Sequence, residues 1–298
     1  MRTMRIATDI NCFYNIYSLE ETITILKDAG FDTIDFTFMD ERYYNGDISP
    51  EDCEKHYTEV RHFAEDKRII FDTAHAPCPS SMADGEENAR RFRAIVRSMK
   101  NASTLGAKTI VIHPLQHLTY SSRDAIERTF EMNIEFYNSL KPYCEEFNIR
   151  IALENLTDFR ETFAGHRFFH TACSTPEEFL RYMNELNSPH FVACLDIGHA
   201  IVVHQNPAEF ITALGREKLQ VLHVHDSNGH RDSHTLPYLG GVADWDEITN
   251  ALRGINFDGN FNFEAGNFIK PLPKELYPAG AKMLYSMGKY LENRIKFG

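Results

Sequence analysis

The sequence predicts an α/β protein built as one (β/α)8 (TIM) barrel, a single domain spanning residues 1–298. Three observations predict it. The length of 298 residues suits one such barrel and is short for two full-sized domains. Short apolar runs alternate with helix-start signals about eight times from end to end, and no linker rich in Pro, Gly or Ser divides them. The competing reading, a doubly wound open sheet, lacks the Gly-rich phosphate turn it needs after the first strand.

The elements follow in order. A first strand is expected at 5–8, and Ser18-Leu19-Glu20-Glu21 is a capping box that opens the next helix, which Gly30 closes in a left-handed cap. Strand two, at 33–38, leads to Ser49-Pro50-Glu51-Asp52, with proline at the first helical position, where a missing N–H costs nothing. Strand three, at 69–74, precedes a helix that places Phe92, Ile95, Val96 and Met99 on one face and ends at Gly106. Strand four, at 109–113, precedes a helix with Ile126, Phe130, Ile134 and Tyr137 on one face. Strand five is at 150–154, and after a long connection, 155–174, Thr175-Pro176-Glu177-Glu178 starts a helix. Strand six, at 191–196, is followed by Asn206-Pro207-Ala208-Glu209, and strand seven, at 220–225, by a second long connection, 226–243. Asp244-Trp245-Asp246-Glu247 then opens a helix, with Trp245 packed under the loop, and strand eight is at 260–264. Long loops on one rim of a barrel are where binding and catalysis usually sit.

Composition narrows the function. A hydrophobic fraction of 43% and a charged fraction of 25% exclude a disordered or fibrous chain. Lys plus Arg total 31 against 43 Asp plus Glu, a net charge of −12, which argues against general nucleic-acid binding. No run approaches the roughly 18 apolar residues of a membrane helix, and the first residues lack a signal-peptide apolar region. The six cysteines are scattered, with no C-x-x-C pair, so reduced thiols and a cytoplasmic location are expected. Whether the chain forms a homo-oligomer is left open.

Polar, ligand-type residues end almost every strand. Glu154, Asp196 and Glu264 each close a run whose preceding residue, Leu153, Leu195 or Phe263, is apolar. Strand side chains alternate between barrel interior and helix layer, so if those apolar residues face the helices the three carboxylates face inward at the carboxyl rim. His75 and His113 close the third and fourth strands. In Val221-Leu222-His223-Val224-His225 both histidines oppose Leu222 and Val224. Asp226 and then Arg231-Asp232-Ser233-His234 follow, and His199 lies three residues beyond Asp196. A lone rim histidine is more often structural, and a lone rim carboxylate is usually just solvated. Together, however, converging carboxylates would repel one another unless a cation sat among them. Three carboxylates with imidazoles form a mixed N/O set suited to Zn²⁺, Mn²⁺ or Co²⁺ and less typical of Mg²⁺.

These motifs in combination resemble the xylose isomerase-like barrel superfamily, which includes sugar isomerases and epimerases and the endonuclease IV type of abasic-site nuclease. They are His113-Pro114 with His117 following, Leu153-Glu154-Asn155, Leu195-Asp196-Ile197-Gly198-His199, Leu222-His223-Val224-His225-Asp226, Asp232-Ser233-His234 and Phe263-Glu264. The resemblance implies a metal held by Glu154, Asp196, His223 and Glu264; His223, rather than His225, matches the metal position of the His-x-(Lys/Asn)-Asp motif. The endonuclease IV type adds ligands for a trinuclear zinc cluster, and its pattern is similar to His75, His113, His199, Asp232 and His234. The chain departs from that nuclease in its acidity and in having His225 where an asparagine is expected. Gly240-Gly241 and Asp244-Trp245 after the Asp-x-His loop resemble relatives of the sugar phosphate isomerase type.

The expected cofactor is therefore a divalent metal, Zn or Mn, at one to three ions per chain. The first functional reading is an isomerase or epimerase acting on a small sugar or sugar phosphate through an ene-diolate, with Glu154 and Glu264 as acid and base. His199, His225 and Arg231 are the candidates to hold substrate hydroxyls or a phosphate. The alternative is phosphodiester hydrolysis at a three-metal cluster, and a third reading is a barrel that binds a sugar without turning it over.

Overall fold

Most strand-like runs lead into a helix whose first turn is capped by a side chain, and the computed structural model describes the result for residues 4–81, 85–116, 118–162 and 165–298. The strands are β1 (Arg5–Thr8), β2 (Thr33–Thr37), β3 (Ile70–His75), β4 (Thr109–Ile112), β5 (Arg150–Glu154), β6 (Thr157–Thr162), β7 (Gly165–His170), β8 (Phe191–Asp196), β9 (Leu219–Val224) and β10 (Asn260–Phe263). The helices are α1 (Leu19–Ala29), α2 (Glu41–Asn45), α3 (Pro50–Asp66), α4 (Gly85–Leu105), α5 (Arg123–Phe147), α6 (Pro176–Leu186), α7 (Ile197–Val202), α8 (Pro207–Lys218), α9 (Trp245–Gly254) and α10 (Tyr277–Phe297).

Eight strands form one parallel sheet in the order β1-β10-β9-β8-β5-β4-β3-β2. Its two edges meet through a parallel bridge between Asp9 and Asp35, which closes the barrel. The capping box at Ser18 forms in both directions with Glu21, and Ser49, Thr175, Asn206 and Asp244 cap their helices as the sequence predicts. Each such cap is worth about 1 kcal/mol. Gly30 takes the left-handed conformation at the end of α1, where a side chain would be strained.

Two strand residue sets separate cleanly. Ile110, Ile112, Ile151, Leu153, Leu195, Leu222, Phe261 and Phe263 join the large core between sheet and helices. Val111, Ala152, Val192, Cys194 and Val221 form their own small cluster on the opposite parity, inside the barrel. The alternation therefore carries the next inward position on each strand to the carboxyl rim.

The structure corrects one connection and several strand bounds. The connection 155–174 is not a plain loop but holds the antiparallel β6–β7 hairpin. Its residues, Thr157-Asp158-Phe159-Arg160, alternate without an apolar run, so no buried face announced a strand. β2, β4, β9 and β10 also end one residue earlier than expected, leaving Phe38, His113, His225 and Glu264 just beyond their ladders, and β3 runs one residue later, to His75. Glu264 remains tied to the sheet, its N–H donating to the Val224 carbonyl at 3.2 Å. No helix among the described residues is long and apolar enough to cross a membrane.

Candidate metal centre

Glu154 is the centre of the rim. It ends β5 pointing inward and is 1% exposed. Its Oε2 lies 3.4 Å from His75 Nε2 and 3.2 Å from His113 Nε2. Its Oε1 lies 3.2 Å from His223 Nδ1 and 3.5 Å from His199 Nδ1. The same His223 Nδ1 is 3.4 Å from Glu264 Oε1 and 4.0 Å from Asp196 Oδ2. Glu154, Asp196, His223 and Glu264, contributed by four strands, thus meet around one point.

A second group adjoins the first. Asp232 Oδ2 is 3.4 Å from His199 Nε2 and 3.0 Å from His234 Nε2. His199, Asp232 and His234 each turn a ligand atom to within 4.8 Å of the others, as do Glu154, Asp196 and His199. His199 therefore links the two groups. His199 is fixed by its ring nitrogen Nδ1 at 2.9 Å from the Asn155 carbonyl.

The loop carrying Asp232 and His234 is held by Asp226, a buried carboxylate at the end of β9. It accepts from the backbone N–H groups of Ser227, Tyr238 and Ala243 and from the Trp245 indole at 2.9 Å. A Cβ on Gly241 would overlap that carboxylate, at 1.8 Å from Oδ1, so glycine is needed there. Trp245 does pack under the loop, as predicted, and also donates to its anchor.

Burial pushes the Glu154 carboxyl up, but the His223 and His113 imidazoles hold it well below the ordinary carboxylate range. Burial opposes charge on both His223 and His199, yet Cys194 with Glu264 and Glu154 lifts the first, and Asp196, Asp232 and Glu154 lift the second, well above the ordinary imidazole value. His113 goes the other way, lowered by burial. Opposite charges thus stabilise one another here without any lysine or arginine: among the described residues, every ion pair recorded for these carboxylates is with a histidine.

The residues fit a divalent ion. Glu154 Oε2 and Asp232 Oδ1 are buried without a hydrogen-bond partner, which is costly unless a cation takes them. The donors are carboxylate oxygens and imidazole nitrogens, the set that Zn²⁺ and Mn²⁺ accept. Such an ion would be held by Glu154, Asp196, His223 and Glu264, with His75, His113, His199, Asp232 and His234 available to further ions.

Two expected substrate contacts sit differently. His225 is fully buried and spends its Nε2 on both Asp196 oxygens, at 2.9 and 3.0 Å, so its place is behind that carboxylate rather than at the open mouth. Gly198 leaves it room. Arg231 is exposed on the rim loop, and among the described residues no recorded ion pair joins it to the carboxylates. His117 lies outside the described residues.

The sequence reading missed three contributors. Asp35, in β2, is completely buried inside the barrel near His223. The alternation Ile34-Asp35-Phe36 carried that signal, since Ile34 and Phe36 belong to the core facing the helices. Asp9 is buried at the end of β1, where burial and the nearby Glu264 push its carboxyl up to about 7. Asn155 spans two strands, donating to the Asp196 carbonyl at 2.9 Å and accepting from the Asp196 N–H at 2.7 Å.

A closed eight-stranded barrel with carboxylates and imidazoles gathered at its carboxyl rim defines a class, and comparison identifies it. The xylose isomerase-like TIM barrel family matches residues 23–287, and the chain belongs to that family. It is 26% identical over 258 residues to an uncharacterized protein of Methanocaldococcus jannaschii, covering 84% of this chain and 80% of that one. It is 29% identical over 159 residues to a probable endonuclease 4 of Geobacter sulfurreducens, spanning about half of each protein (50% and 51%). A solved D-tagatose 3-epimerase-like protein superposes with a TM-score of 0.74 at 21% identity, over 98% of this chain and all (100%) of that one. The IOLI protein with a bound zinc atom superposes at 0.75 and 18% identity, over 98% and 99%. At these identities the solved structures establish the shared barrel.

Proposed function

We propose that the chain is a divalent-metal-dependent isomerase or epimerase of a small sugar or sugar phosphate. The observation that carries this reading is the placement of Glu154 and Glu264, at 3.2 and 3.4 Å from one nitrogen of His223. Two carboxylates therefore border one position, as a reaction needs that removes a proton from one carbon and returns it elsewhere. A divalent ion bound there supplies a Lewis acid for a substrate's adjacent carbonyl and hydroxyl oxygens. Glu154, kept ionised by its imidazole neighbours, is ready to accept a proton from the carbon beside that carbonyl. Glu264, the more open of the two, returns a proton, from the opposite face for an epimerase. His199 and Arg231 remain the groups proposed to hold hydroxyls or a phosphate, with His225 orienting Asp196. Likeness of fold to a D-tagatose 3-epimerase-like protein supports this reading.

The test is deuterium incorporation from D₂O into a panel of ketoses and sugar phosphates by the metal-loaded protein. Glu154→Gln and Glu264→Gln should each lower exchange by roughly 10²–10⁴-fold. No incorporation into any compound would count against the reading.

One observation favours a second reading, phosphodiester hydrolysis at a multinuclear cluster. His199, Asp232 and His234 form a further ligand group beside Glu154, and His75 and His113 face Glu154 from the other side. The partial likeness to a probable endonuclease 4 agrees, while the net charge of −12 does not. Nicking of abasic duplex DNA at low salt with zinc decides between them: cleavage is expected only from the second reading.

A further inference from the structure

Below the carboxylate mouth, the barrel interior holds an unmatched pair. Asp35 is completely buried, and neither of its carboxylate oxygens has a hydrogen-bond partner. His223 is also completely buried, and its Nε2 has no partner either. The two face each other, Nε2 to Oδ2, at 3.9 Å. The other nitrogen of the same ring, Nδ1, looks the opposite way, toward Glu154, Glu264 and Asp196 at 3.2, 3.4 and 4.0 Å. The two ring nitrogens thus address different carboxylates, although Asp35 and Glu264 also bring oxygens within 4.8 Å of each other beside the ring.

Two buried polar groups left unmatched are costly, and a charged acceptor facing an N–H donor removes both costs at once. The gap exceeds an ordinary N–H···O distance by about 1 Å and is short for a bridging water, whose two bonds span roughly 4.5 Å or more. Direct contact after a small side-chain adjustment is the remaining way to satisfy both. Three neighbours compete: the Cys194 thiol beside His223, the Thr73 hydroxyl beside Asp35, and Asn262. Asn262, in register with His223, donates to the Thr73 hydroxyl at 2.9 Å and leaves its own buried Oδ1 without a partner. That oxygen is a neutral acceptor, weaker for an imidazole N–H than a carboxylate.

We propose that Asp35 is the positioning residue for His223: it takes the Nε2–H, so that Nδ1 is the nitrogen that gives up its proton to a cation at the mouth. This rests on the reading that a divalent ion is held there. A carboxylate behind a ligating imidazole fixes the ring, sets the tautomer and raises the basicity of the ligating nitrogen.

The test compares the native chain with Asp35→Asn and Asn262→Ser. Zinc affinity is measured by chelator competition, and the His223 Nε2 proton is followed by ¹⁵N–¹H spectroscopy of labelled histidine, assigned by its loss in His223→Gln. The native chain should show a downfield, slowly exchanging Nε2 proton. Asp35→Asn should weaken zinc binding by about 10–100-fold and lose that signal, and Asn262→Ser should change neither. The proposal is overturned if Asp35→Asn keeps native affinity and signal, or if Asn262→Ser reproduces the loss. A native chain that binds no zinc would remove the metal reading, yet the Nε2 proton would still report on Asp35. Should Asp35→Asn fail to fold, absence of the protected proton in the native chain overturns the proposal.

Discussion

Gly198 shows how little freedom a single position near the mouth has. A Cβ there would come within 1.9 Å of His225 Cε1, and His225 is the residue that holds both oxygens of Asp196. The clash is with the ring itself, so the ring must move. Gly198→Ala should therefore cost about 1–3 kcal/mol of stability, by overpacking, and should also lower metal content because Asp196 loses its orienting partner. Thermal denaturation and elemental analysis check the two parts. A stable variant with native metal content would show that His225 has no such role.

At the scale of elements, four of the candidate ligands lie in or next to strands and two more on one anchored loop. The strand ligands inherit their direction from the alternation in the ladder. Asp232 and His234 instead inherit theirs from Asp226, which gathers three backbone N–H groups and the Trp245 indole. Trp245→Phe removes one hydrogen bond to a charged acceptor and should cost about 1.5–3 kcal/mol. Loosening should fall on the loop first, so metal held by His199, Asp232 and His234 should be lost before metal held by Glu154 and His223. Counting ions per chain during chelator titration tests this; simultaneous loss would contradict it. The inward placement of these strand-end residues was legible in the sequence because each follows an apolar residue of opposite parity. Asp35 was legible by the same rule and was passed over because it sits inside a strand and not at its end. The β6–β7 hairpin was not legible, since neither of its faces reads as buried.

For the molecule as a whole, the cluster of imidazoles and carboxylates at the rim couples stability to pH. Burial opposes the charge on His234, but Asp232 beside it prevails and lifts it to about 10 from the ordinary 6.5. Between those values the folded metal-free chain holds a proton that the unfolded chain has released. The stabilisation is complete below pH 6.5 and is lost as pH rises through 10. Bound metal replaces such protons, so metal affinity should rise over the same window. The difference in Tm between metal-loaded and metal-free protein should therefore widen from pH 6.5 to 10 in calorimetry. A constant difference would show that His234 and its neighbours do not take part.

The order of the eight barrel strands, the caps that start the main helices and the inward parity of Glu154, Asp196 and Glu264 were determined by the sequence alone. These depend on neighbours within a few residues, where chain geometry allows few choices. Only the tertiary structure decided that His223 joins the carboxylates through Nδ1, that His225 stands behind Asp196, and that Asp9 and Asp35 share the barrel interior. Those relations link strands far apart in the chain, and they arise from closing the sheet at the Asp9–Asp35 bridge, which no local pattern specifies.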